Sequence, residues 1–136
     1  MKSIEFRRIL VGVDFSSCSR KALEFACTLA RTLGASVDAM FVLQTEAATT
    51  PETTAAKEEL RRFIATADCD GASAPGERVE VGEARERLVS VAEAEGYDFV
   101  VLGTHGRTGR PRSMAGSVAE SVVRTATCPV ITVRET

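Results

Sequence analysis

Short apolar runs alternate with helical stripes from one end of this chain to the other. Residues 8–13 read Arg-Ile-Leu-Val-Gly-Val, the nearly continuous apolar run of a strand covered on both faces. Ser16, Ser17 and Ser19 supply helix-cap chemistry, and Ala22, Ala26, Leu29, Ala30 and Leu33 then recur at helical spacing until Gly34, placed to stop the helix. Residues 36–43 predict a second strand. A Thr/Ala-rich loop over 45–50 leads to Pro51, which opens a helix striped by Ala56, Leu60, Phe63, Ile64 and Ala67. Residues 70–76 read as a loop, and Arg78-Val79-Glu80-Val81 alternates as a strand at an exposed sheet edge does. A third helix carries Ala84, Leu88, Val91 and Ala92 and ends at Gly96; residues 98–102 form a central-type strand. A glycine-rich loop fills 103–116, a fourth helix shows Ala119, Val122, Val123 and Ala126, and residues 129–134 finish as a strand.

The order β-α-β-α-β-α-β-α-β has no internal repeat and no linker, so residues 1–136 are expected to fold as one α/β domain. Strands alternating with helices imply a parallel sheet with helices on both faces and right-handed crossovers. Five such strands can be ordered in several ways, and periodicity does not choose among them. A doubly wound sheet with its switch point beside the first strand is favoured, which would put a ligand outside the strand ends at Val13-Asp14 and Gly103.

Bulk properties narrow the function. The 17 basic and 19 acidic residues leave a net charge of −2, without the basic surplus expected of a nonspecific nucleic-acid binder. No apolar run reaches the roughly 20 residues of a membrane-spanning helix, and Ile9–Val13 is cut off by Asp14, too soon for a signal peptide. A cytoplasmic protein is expected. The four cysteines, Cys18, Cys27, Cys69 and Cys128, form no C-x-x-C pair and are expected to be reduced thiols packed as small hydrophobes. His105, the one histidine, offers poor material for structural zinc.

The chemistry concentrates in Gly103–Val118, a loop that leaves a buried strand and enters a helix. Its glycines suit sharp turns and close approach to a ligand, and the helix start presents free N–H groups and a positive dipole end. Arg107, Arg110 and Arg112 add cations, and Ser117 a hydroxyl. Glycines, open amides, hydroxyls and arginines together describe a phosphate cradle. There is no G-x-x-x-x-G-K-[ST], and no G-x-G-x-x-G follows the first strand.

At this loop the chain resembles the universal stress protein family, whose signature G-x2-G-x9-G-[S/T] is met by Gly103, Gly106, Gly116 and Ser117. The flanks match too, as does Ile9–Ser16, so the resemblance covers essentially the whole chain. It implies strand order 3-2-1-4-5, ATP or another adenine nucleotide as ligand, Mg2+ or Mn2+ on the phosphates, and a homodimer through the last strand. That dimer would cover Val130, Ile131 and Val133, otherwise left apolar at a sheet edge. Carried over by position, Gly12 and Asp14 lie beside adenine and ribose, and Val42 offers adenine its backbone. Gly103, His105, Gly106, Arg107, Thr108 and Gly109 would wrap the ribose and phosphates. Gly116, Ser117 and Val118 would hold the phosphates. Two departures stand out: Phe41, where many relatives have histidine, and Arg110-Pro111-Arg112, in a stretch commonly more apolar.

Several residues carry two readings. Asp14 is a ribose or metal contact, or only a cap for the first helix; His105 touches phosphate or stands exposed in its loop. Arg107 is favoured over Arg110 and Arg112, which are as readily a solvated loop face. Ser117 and His105 make no nucleophile–base pair, so no catalytic residue is expected and hydrolysis would be slow at most. The expected role is a nucleotide-dependent stress-response regulator or switch. A nucleotide-independent dimeric scaffold is the alternative. A flavin or adenylate enzyme is less favoured, since one Tyr and six Phe with no Trp offer little for flavin stacking.

Overall fold

The computed structural model describes residues 5–105 and 116–135. In chain order the elements are β1 (Arg8–Val13), α1 (Ser17–Leu33), β2 (Ser36–Leu43), α2 (Thr50–Thr66), β3 (Gly76–Val81), α3 (Ala84–Ala94), β4 (Phe99–Gly103), α4 (Ser117–Thr125) and β5 (Val130–Val133). The strands form one parallel sheet in the order β3-β2-β1-β4-β5, a doubly wound arrangement with β1 at its centre. Parallel β1 pairs with β2 from Arg8 opposite Ser36 to Val13 opposite Phe41. Ile9, Leu10 and Val11 on β1 are fully buried, as a strand flanked and covered on both sides must be.

Each strand sends alternate residues to opposite faces, and two cores result. On one face Ile9, Val11, Val37, Ala39 and Val101 meet Leu23 and Ala26 of α1 and Leu60 of α2. On the other, Leu10, Met40, Val42, Val100 and Leu102 join residues of α3 and α4. The first two helix starts carry side-chain caps, that of α1 at a serine the sequence marks. Ser16 caps α1 by accepting from Ser19 N–H, and Thr49 and Glu52 form a capping box ahead of α2. Pro51 lies in the first turn of α2, and Ala67 is its C-cap rather than a core position of the helix.

Two stripe residues face outward. Val123 is exposed, because Ala119, Val122 and Ala126 already fill the inward i, i+3, i+7 row of α4. Leu33 is exposed at the last turn of α1. At the β3 edge the α3 side carries ions instead of an apolar layer. Arg78 holds both Glu80 and Glu95, Arg87 holds Glu80, and the Arg78 guanidinium is held charged chiefly by its hydrogen bonds to Glu95.

The cysteines depart from expectation. Cys27, buried on α1, is disulfide-bonded to Cys69 in the loop after α2, with Cα atoms 5.3 Å apart, whereas Cys18 and Cys128 are free. No sequence spacing announces this pair, because the fold brings the two together across 42 positions. No helix of the described residues is long and apolar enough to cross a membrane.

Candidate functional site

The two helical layers differ in reach. α1 and α2 have 17 residues each, about 25 Å of helix, whereas α3 has 11 and α4 nine, roughly 16 and 14 Å. On the α3/α4 face a cleft of about 370 Å³ opens at the C-terminal strand ends. That volume lies within the range of small-molecule sites. Gly12, Met40, Val42 and Leu102 supply its apolar strand-side wall, and Leu88 and Ala119 line it from the helices. Asp14, Gly103, His105, Gly116 and Val118 line it as well, so with Gly12 and Val42 the cleft gathers seven of the expected site residues from four separate elements and their loops.

The two strand glycines serve different purposes. A side chain at Gly12 would collide with Leu102 and come within 3.1 Å of Leu88, both of them cleft-wall residues. Its absence keeps the floor low. At Gly103 a Cβ would lie 2.9 Å from the carbonyl carbon and oxygen of Cys18, so glycine lets the end of β4 abut the first turn of α1. Gly103 therefore borders the cleft, but its lack of a side chain is explained by helix packing rather than by room for a ligand.

Between β1 and α1 the chain makes a strained turn. Asp14 Oδ1 accepts from Ser16 N–H at 3.0 Å, so this carboxylate orders the turn while lying on the cleft wall. Phe15 adopts φ 66°, a left-handed conformation costing about 1–2 kcal/mol for a residue other than glycine. Its ring packs tilted against Phe41, centroids 4.5 Å apart, and edge-on against Phe63, 5.5 Å. Aromatic pairs of this kind contribute roughly 0.5–1.5 kcal/mol each, enough to offset the strain. Phe41 thus packs its ring with the α1/α2 core, where it holds Phe15 beside Asp14, while also lining the cleft.

Thr104 closes the neck of the signature loop. Its N–H donates to Val133 O at 3.0 Å, and its carbonyl accepts from Gly116 N–H at 2.5 Å. The Gly116 N–H is therefore engaged within the protein and is not one of the amides open to a ligand. Gly116 is the N-cap of α4 and places no side chain over the amides of the first turn. Ser117 is exposed and off the cleft wall, whereas Val118, the next residue, is on it. His105 Nδ1 shares a 3.0 Å hydrogen bond with Thr104 Oγ1, while its Nε2 is buried and has no partner among the described residues.

Gly106, Arg107, Thr108 and Gly109, and with them Arg110, Pro111 and Arg112, lie outside the described residues. Sequence reasoning passed over Thr104 and Gln44. Thr104 sits inside the signature at a position the motif leaves open. Gln44, one residue beyond β2, lines the cleft while its Oε1 accepts from Ala84 N–H at 3.4 Å. No periodic signal marks either one. Among the described residues, no group of three or more His, Cys, Asp or Glu could hold a metal ion.

Comparison with known proteins bears on this geometry. Residues 5–134 match the universal stress protein family. Universal stress protein MJ0531 of Methanocaldococcus jannaschii is 32% identical over 142 residues, covering 96% of this chain and 83% of its own. Among solved structures, a universal stress protein in complex with cAMP superposes with a TM-score of 0.79 at 25% identity, over 98% of this chain and 100% of that one. One from Archaeoglobus fulgidus in complex with dAMP superposes with a TM-score of 0.75 at 27% identity, over 96% and 99%.

Proposed function

The chain belongs to the universal stress protein family, and on that footing we propose that it binds an adenine nucleotide, ATP foremost, in the cleft at the strand ends. The base would lie on the apolar wall of Met40, Val42 and Leu102, with the Val42 backbone beside it. Asp14 would meet the ribose. The phosphates would meet the first turn of α4, where the amides from Ser117 onward and the positive dipole end attract an anion. His105 Nε2 is the further polar atom that a ligand oxygen or a water would satisfy, since leaving it buried and unpaired costs about 1–3 kcal/mol. Asp14 is the one carboxylate among the described lining residues, so Mg2+ or Mn2+ would be held mainly by the phosphates themselves.

The role that follows is a nucleotide-dependent regulator or switch in the stress response, acting in the cytoplasm, with hydrolysis slow at most. Asp14 is engaged with Ser16 N–H, and His105 Nδ1 meets the Thr104 hydroxyl, but Nε2 of that ring has no orienting partner among the described residues, so the third group of an activated nucleophile is missing there. A homodimer through β5 extends the proposal. β5 pairs with β4 on one side, and Val130, Ile131 and Val133 are only partly buried.

The observation that carries the reading is an apolar cleft ending at a helix N-terminus whose cap residue has no side chain. Calorimetric titration of nucleotide-stripped protein with ATP, with and without Mg2+, tests it alongside Ser117→Glu. That substitution puts a negative charge at the helix start without burying it. We expect micromolar binding, about −8 kcal/mol, weakened at least about tenfold in the variant. Absence of binding in the wild type, with fold and dimer intact, would leave the nucleotide-independent scaffold as the function.

A further inference from the structure

We propose that Cys27 and Cys69 form a reversible dithiol–disulfide site, kept assembled in its reduced state by hydrogen bonds on either side of the sulfurs. Glu24, Cys27 and Arg31 are spaced i, i+3, i+7 and so share one face of α1. Three consecutive residues of the loop after α2 dock on that face. Asp68 N–H donates to Glu24 Oε2 at 2.8 Å, Cys69 is bonded to Cys27, and Arg31 Nη1 donates to the Asp70 carbonyl at 2.9 Å. Gly71, at φ 79°, leaves open the space that Arg31 Nη1 fills. Neither flanking hydrogen bond involves sulfur. Reducing the bridge leaves both in place, and the thiols stay within reach of each other instead of being separated by a free loop.

The two sulfurs are not equivalent. Cys27 is 1% exposed, whereas Cys69 is only partly buried, so Cys69 is where a reagent enters. With a hydroperoxide as oxidant, the Cys69 thiolate attacks the peroxide oxygen, the O–O bond breaks, and Cys69 becomes a sulfenic acid while an alcohol or water leaves. The Cys27 thiol then attacks the Cys69 sulfur, and the hydroxyl departs with the thiol proton as water. Two thiols and one hydroperoxide thus give one disulfide, one alcohol or water, and one further water. A dithiol reductant reverses this by attacking Cys69, releasing Cys27 as a thiolate that takes up a proton, and then closing its own disulfide. The site lies on the α1/α2 face, away from the cleft, and does not rest on nucleotide binding.

The test starts from fully reduced, folded protein treated with stoichiometric hydrogen peroxide, quenched by alkylation and digested without reductant. We expect one intramolecular Cys27–Cys69 peptide, reversed by dithiothreitol while the circular dichroism of the native fold persists. Titration against glutathione redox buffers then gives the effective concentration of the two thiols. The double variant Glu24→Ala/Arg31→Ala should lower it at least about tenfold, since the pair would lose its preorganisation. Three results overturn the proposal: both thiols staying alkylatable after peroxide, a bridge that dithiothreitol opens only in denaturant, or an effective concentration unchanged in the double variant.

Discussion

On the α1/α2 face the helices seal the sheet up to the strand ends, where Phe15, Phe41 and Phe63 close the layer. On the α3/α4 face the same strands end in an open cleft. Both layers rest on aliphatic strand residues, so composition does not separate them. What separates them is helix length and what caps the top. One layer has two long helices and a cluster of three aromatic rings ahead of α1, and the other has two short helices flanking a floor lowered at Gly12. A strand in a parallel sheet must be buried on both faces, but only one face needs to be closed at the strand ends. The other can be left for a ligand.

Core truncations should separate the faces most sharply. Leu23→Ala, on the closed face, should cost about 3 kcal/mol in urea unfolding because its cavity has no outlet, with nucleotide affinity unchanged. Leu88→Ala should cost less, about 2 kcal/mol, because its void merges with the cleft, and it should alter nucleotide affinity. Equal costs and equal affinities would erase the distinction.

The two glycines come next. Gly103→Ala must push apart β4 and the backbone of Cys18, and we expect a loss of about 1–3 kcal/mol by thermal melting. Gly12→Ala displaces only the ends of the Leu102 and Leu88 side chains. It should therefore lose less stability and more nucleotide affinity, as calorimetry would show.

The smallest effect concerns the far end of the α3/α4 core. Burial raises the Tyr97 phenol above its ordinary value near 10, helped by the 2.6 Å hydrogen bond it donates to Asp38. The folded protein holds that proton more tightly than the unfolded chain. Its contribution is complete below about pH 10 and is lost as pH rises through the raised folded value. Urea midpoints measured across alkaline pH should therefore fall, and Tyr97→Phe should flatten that fall.

Much of this was legible in the residues. The run at 8–13 is β1 to the residue, and Ser16 and Gly34 cap α1 as their chemistry suggests. The strand order was not legible from periodicity, because it is fixed by pairings between distant segments; the resemblance at Gly103–Ser117 supplied it. Asp14 and Gly103 were legible as cleft residues because strand ends at a switch point converge, whereas Gly12 and Val42 came from the resemblance. The Cys27–Cys69 bond, the packing role of Gly103 and the engagement of Gly116 with Thr104 were not. Each depends on which backbone comes close to which, and no local pattern encodes that.

Thr104 has a last consequence, for inheritance rather than for binding. With β5 joined to its N–H and α4 joined to its carbonyl, the chain on either side of the ten residues 106–115 is spliced at a single amino acid. Lineages could therefore recharge the positions between Gly106 and Gly116, as Arg110-Pro111-Arg112 illustrates, while passing on the sheet and the spacing of the signature unchanged.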